Sequence, residues 1–276
     1  VHIDSCHILL QSLYLLINLS YELKMDDVRG PSISAFCAVL LSNQEEIKMT
    51  AYDTIIYAIQ SSPDQFFNFW YRILSSLSEF QWHPTSFDFS ISTSKENVIE
   101  MADSLVSLQS GYKSNRDWSL SLLSELLISN YERFTDIWPA ISEKYFHLFD
   151  SDFEIALDYL NKFILKGFCK QNEELILSII EKIIENPNSH DILLDTVKTI
   201  LIQNSSIIMN GWHSLFKILL PINFHSELEN LNHAFSCLQM ICNDILFTLS
   251  ESVQSQFVYL IFEYIKQEDD ANISLS

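Results

Sequence analysis

Apolar residues recur at intervals of three and four along almost the whole chain, interrupted by short polar breaks. That period is the signature of amphipathic helices. Phe66, Phe69, Trp70, Ile73, Leu74 and Leu77 form one aromatic-heavy stripe. Its start is marked by Ser62 at the cap position, Pro63 at the first helical position and Gln65 at the third,. Residues 2–25 carry Ile3, Cys6, Leu9, Leu10, Leu13, Leu16 and Ile17 on nearly every side, which predicts a largely buried helix,. Asp26-Asp27 and Arg29-Gly30-Pro31 should close it, with a short helix over 32–41. Asn43 followed by Glu46 predicts a capped helix over 44–60,.

Residues 82–92 leave the helical period, and their aromatic residues predict a long packed connection or a flexible insertion. Thr93 with Glu96 restarts a helix that ends near Gly111, and Asn115 caps the next,. Over 130–149 the residues Phe134, Ile137, Trp138, Ile141, Tyr145 and Leu148 share one broad face. Pro139 inside that pattern should kink the helix, or else the helix begins near Asp136,. Ser151 with Glu154 opens a helix over 153–168, and helices over 172–184 and 189–202 follow,. A short helix opens at Asn210-Gly211-Trp212 and stops at Pro221; another runs over 227–249, and Ser250 caps the last, to Lys266. The acidic tail should fray.

Roughly a dozen helices with short connections place consecutive helices antiparallel, and stacked pairs of this kind build an α-solenoid. The spacing of about forty residues per pair is that of HEAT and armadillo units, though no crisp internal consensus recurs. The expected fold is therefore all-α, an irregular HEAT/armadillo-like solenoid. Its expected organisation is an N-terminal set of repeats over 1–110 with an irregular connection at 81–93, a C-terminal set over 111–267, and a frayed tail over 268–276.

Composition narrows the function. The 4 Gly and 6 Pro are too few for a turn-rich or glycine-loop fold,. The net charge of −20 repels phosphate backbones and anionic bilayers, so nucleic acid is excluded as a partner and basic protein surfaces are favoured,. The odd cysteine count, Cys6, Cys37, Cys169, Cys237 and Cys242 without a CxxC, reads as reduced buried thiols of the cytosol or nucleus,. No apolar run reaches the roughly eighteen residues of a membrane span.

Candidate chemistry is sparse. His233 and Cys237 are one helical turn apart, but a zinc site would need two more ligands, with His225 one option,. No GxSxG, glycine-rich phosphate loop or HExxH occurs, so no catalytic, cofactor or metal residue is assigned,. Pairs such as Glu173-Glu174 sit at helix starts, where the dipole stabilises carboxylates without chemistry,. The tryptophans lack the neighbouring Lys and Arg of a base-stacking groove and read as wedges between helices. Trp82, Phe87 and Phe89, where the chain leaves helical periodicity, form the candidate interaction surface,.

Two stretches carry a family signal: Asn130-Tyr-Glu-Arg133-Phe-Thr-Asp-Ile-Trp138, and Asn210-Gly211-Trp212-His-Ser-Leu-Phe216 about eighty residues later. In this order they resemble the helical regions downstream of the Sec7 domain in large Arf guanine-nucleotide exchange factors. The segment between them is most similar to the Golgi-type GBF/Gea branch, with Mon2-like scaffolds as the second resemblance. The resemblance covers about residues 112–250. The exchange loop that carries the family's catalytic glutamate has no counterpart, so the chain is not expected to be an enzyme. The resemblance implies structural roles for Asn130, Arg133, Trp138, Gly211 and Trp212. It also implies a regulatory, localising, autoregulatory or dimerising region acting in Golgi vesicle traffic and protein transport. Its partners would be Arf- or Rab-type GTPases, other domains of the same exchange factor, or a second copy. The protein would be cytoplasmic, with peripheral, protein-mediated attachment to Golgi membranes. The competing expectation is an acidic HEAT-type scaffold or transport adaptor of another kind.

Overall fold

The computed structural model describes residues 3–79, 93–108, 113–224 and 227–266. Among these, every regular element is helical and none is a strand. Two compact units divide the chain, Val1–Tyr159 and Leu160–Ser276. The expected boundary between residues 110 and 111 falls inside the first unit.

The first unit holds α1 (Ile3–Glu22), α2 (Asp26–Leu40), α3 (Glu45–Ser61), α4 (Trp70–Ser78), α5 (Lys95–Ser107), α6 (Lys113–Ser129), α7 (Phe134–Ser151) and the start of α8 (Phe153–Gly167). Helix α1 packs on α2 and α3, α2 on α3 and α4, α4 on α5 and α6, and α5 on α6 and α7. The second unit holds the end of α8, then α9 (Glu173–Ile183), α10 (His190–Asn204), α11 (Trp212–Ile218), α12 (Leu228–Met240) and α13 (Glu251–Ile265). Here α9, α11 and α13 stack in one row while α10 packs on α12 in another. Contact with the next helix but one is the repeat-on-repeat stacking of a helical solenoid, and within each unit the architecture is all-α and solenoid-like,.

The local starts differ from expectation where backbone geometry overrides the cap signals. Asp26 and Asp27 do not end a helix; they form the first turn of α2, which runs through Gly30 and Pro31. Lys24, at φ 56°, makes the turn from α1 two residues earlier. Ser62-Pro63 opens only a 3-10 turn, Pro63–Phe66, because Asn68 takes φ 72° and resets the chain before α4. The cap of α3 is Gln44 rather than Asn43, and that of α5 is Ser94 rather than Thr93, the Ser94 hydroxyl accepting from the Asn97 amide at 3.4 Å. Asn115 does not cap α6, which begins at Lys113. Pro139 stands inside α7, five residues past its start. The helix expected over 227–249 is α12 followed by a π turn, Ile241–Ile245, and a 3-10 turn.

Helix α1 is not largely buried. Cys6, Leu10 and Ile17 enter the core, but Ile8, Leu9, Leu15, Leu16 and Leu19 are exposed. Apolar residues all round predicted contacts all round; α2 and α3 instead cover one side.

Candidate functional site

The Asn-Gly-Trp turn is built from both sides. Trp212 is 3% exposed, donates through its indole Nε1 to the Ile208 carbonyl at 3.1 Å, and packs at a tilt against Phe216 with ring centres 5.8 Å apart. Gly211 lies against α9 so closely that a Cβ there would sit 2.4 Å from Leu177 Cδ1. One turn earlier on α9, the buried Glu173 carboxylate accepts from the backbone amides of Met209 at 2.7 Å and Asn210 at 2.9 Å. Glutamate therefore holds the turn while glycine lets it reach the helix. Beside it, buried Asn172 accepts from the Cys169 amide at 2.9 Å and donates to the Gly167 carbonyl at 2.7 Å, which fixes the α8–α9 connection.

The first motif sits in the other unit. Asn130 does not cap forward; its side-chain amide donates back to the Leu126 carbonyl at 2.9 Å, closing α6. Arg133 reaches the Thr93 carbonyl at 2.6 Å, immediately before α5. That helix start is itself organised by Asp64, which accepts from the Ser94 amide at 3.1 Å and from the Asn97 side chain at 2.7 Å, while Asn97 accepts from the Trp70 indole. Glu100 on α5 caps the entry to α4, accepting from the amides of Asn68 at 2.6 Å and Trp70 at 3.4 Å. Partial burial raises the Glu100 carboxyl above its usual range, against the lowering effect of these two amides and Arg29,. Trp138 is buried in a ring cluster with Phe134, Tyr145 and Phe146 at centroid separations of 5.4, 5.5 and 5.8 Å. Of the five positions named from the resemblance, Asn130 and Arg133 bond at helix ends, Gly211 lies against α9, and Trp138 and Trp212 are buried.

Among the described residues no group of three His, Cys, Asp or Glu side chains could hold a metal ion. Cys237 is buried with its thiol pushed up to about 11 by desolvation, Cys242 is exposed, and His233 faces Asp195 at 3.4 Å. His225, Trp82, Phe87 and Phe89 lie outside the described residues. The tryptophans within them, Trp70, Trp118, Trp138 and Trp212, are all buried. No described helix is long and apolar enough to cross a membrane.

What the surface offers instead is uncovered apolar area. On α13, Val258, Phe262 and Ile265 lie at i, i+4 and i+7 and are half exposed, with Tyr259 beside them,. Between α11 and α13 opens a groove of about 330 Å³ floored by Phe216, Leu220, Tyr259 and Leu260 and edged by His213 and Lys217. A contiguous apolar strip of this kind marks an interaction site more often than scattered single residues do. Neither this strip nor the one on α1 is legible from the sequence pattern, because a buried and an uncovered apolar face have the same period.

Compared with models of known protein families and with curated proteins, the chain matches none.

Proposed function

We propose that the chain is a non-catalytic, protein-binding helical scaffold, and that the groove and apolar strip of α11 and α13 form its principal docking face. The observation that carries this reading is the half-exposed row Val258, Tyr259, Phe262 and Ile265 beside a ready groove. Large aromatic side chains left half in water cost the free protein and supply binding energy when a partner desolvates them. Taken with the resemblance of the Arg133–Trp138 and Gly211–Trp212 stretches, the scaffold is a regulatory region of a large Arf exchange factor of the Golgi type. Its partners are then Arf- or Rab-type GTPases or other domains of the same exchange factor. The net charge of −20 favours attachment to Golgi membranes through such protein partners over direct contact with anionic lipid,.

The test is a pull-down with GTP-loaded Arf and Rab proteins and with the remainder of such an exchange factor, followed by gel filtration. Association of at least one of them supports the reading. No association with either class sinks the exchange-factor assignment, and a partner of another chemistry on the same α13 face would favour an acidic adaptor instead.

A further inference from the structure

The first unit contains a second groove of different character. It lies between α1 and α3, has a volume of about 630 Å³, and has walls made of one face from each helix. His7, Gln11 and Leu15 follow at intervals of four on α1, with Tyr14 beside them; Thr50, Thr54 and Tyr57 descend α3 at i, i+4 and i+7, with Asp53 between them,. Each wall is therefore two helical turns long. Tyr14 and Tyr57 meet edge-to-face across the groove at 6.1 Å. Tyr57 is 61% exposed and Leu15 65%, with Ile8 and Leu19 continuing the apolar edge of α1.

Three observations say what fits. The groove has an aromatic and leucine lining, which suits apolar side chains. Its two threonine hydroxyls already donate within α3: Thr50 to the Glu46 carbonyl at 2.9 Å and Thr54 to the Thr50 carbonyl at 2.7 Å. The groove runs along two helices with no open strand edge to extend, whereas a helical guest satisfies its own backbone and needs only side-chain contacts,. Finally, exposed Asp53 places a carboxylate on the wall of a chain with net charge −20, which selects a cationic guest,.

We propose that the α1–α3 groove docks an amphipathic α-helix of a partner protein, its apolar face against Tyr14, Leu15 and Tyr57 and a lysine or arginine opposite Asp53. This rests on the scaffold reading, but it concerns a different unit and a different partner from the α13 face.

The experiment uses the full chain and two fluorescent stapled peptides, one with leucines at helical spacing flanked by lysines, the other its twin with glutamate for each lysine. Binding is followed by anisotropy at rising salt. The expected result is binding of the lysine peptide, weakening as salt screens Asp53, with the glutamate twin at least about tenfold weaker. Tyr57→Ala and Asp53→Lys should each weaken the lysine peptide by about tenfold or more. Both side chains are exposed, so thermal melting serves as the check that folding is retained. Glu251→Lys, which changes net charge equally but lies on α13, should leave the affinity unchanged, as should Phe262→Ser. The proposal is overturned if the lysine peptide fails to bind, if it binds Tyr57→Ala and Asp53→Lys as tightly as the native chain, or if the glutamate twin binds equally well. Sedimentation showing a dimer of the chain that Tyr57→Ala dissolves would also overturn it, by assigning the groove to a second copy. Loss of GTPase or exchange-factor binding in Phe262→Ser, with the lysine peptide unaffected, would leave the two surfaces separately tested.

Discussion

Gly211→Ala should destabilise the second unit through one contact, and a second substitution should relieve it. The added Cβ would stand 2.4 Å from Leu177 Cδ1, well inside ordinary carbon–carbon contact,. Leu177 is fully buried in α9 and cannot swing into solvent. Overpacking of this kind costs about 1–3 kcal/mol. Leu177→Ala alone removes a buried side chain and should cost about 2–5 kcal/mol. In the double variant the new methyl occupies space vacated by the leucine, so the combined loss should fall short of the sum by about 1 kcal/mol or more. Urea denaturation of the four proteins measures this directly, with the slope checked for constancy so that only stability is compared. Additivity within about 0.5 kcal/mol would mean that α9 and α11 do not approach at Gly211, and the account of the turn would fail.

Other expectations follow from single contacts. Trp212→Ala should cost about 3–5 kcal/mol in the same assay; native-like stability would show that this ring is not the wedge described. Glu173→Gln leaves one of the Met209 and Asn210 amides facing a donor, and a loss of about 1–3 kcal/mol by urea denaturation is expected, an unchanged midpoint being the contrary result,. Tyr145→Phe strips the donor that reaches the Ala156 carbonyl at 2.9 Å and should lower stability by about 1 kcal/mol, read by thermal melting,. For Glu100 the folded carboxyl titrates above its ordinary value, so the folded state holds the extra proton and stability declines as pH rises through that raised value,. The stability of the native chain relative to Glu100→Gln should therefore fall between acid and neutral pH, and a rise would contradict the assigned direction.

The helical class was legible because nearly every segment repeats at three and four residues with few breakers. Element edges were less so. The sequence Asp26-Asp27-Val-Arg29-Gly30-Pro31 looks like a stop, yet its real stop is Lys24, whose left-handed backbone has no strong composition signal. Ser62-Pro63 carries a start signal that a single residue, Asn68, cancels. Asn130, Arg133, Trp138, Gly211 and Trp212 were singled out through the resemblance, but nothing in the sequence singled out Glu173. Its two backbone donors lie some thirty-six residues away, and a glutamate at a helix start has a sufficient local explanation,. Exposure was the hardest to read, since α1 and α13 look as apolar as core helices while leaving a face uncovered.

The claim that the chain is a protein-binding scaffold working through α13 is tested most directly by one affinity comparison. The GTPase or exchange-factor fragment retained in the pull-down is titrated against the native chain and against a Tyr259→Ser, Phe262→Ser double variant. Both side chains are more than half exposed, at 62% and 54%, so the variant should melt like the native chain. The account predicts a loss of affinity of about tenfold or more, equivalent to about 1.4 kcal/mol. Equal affinity in the two proteins would contradict it.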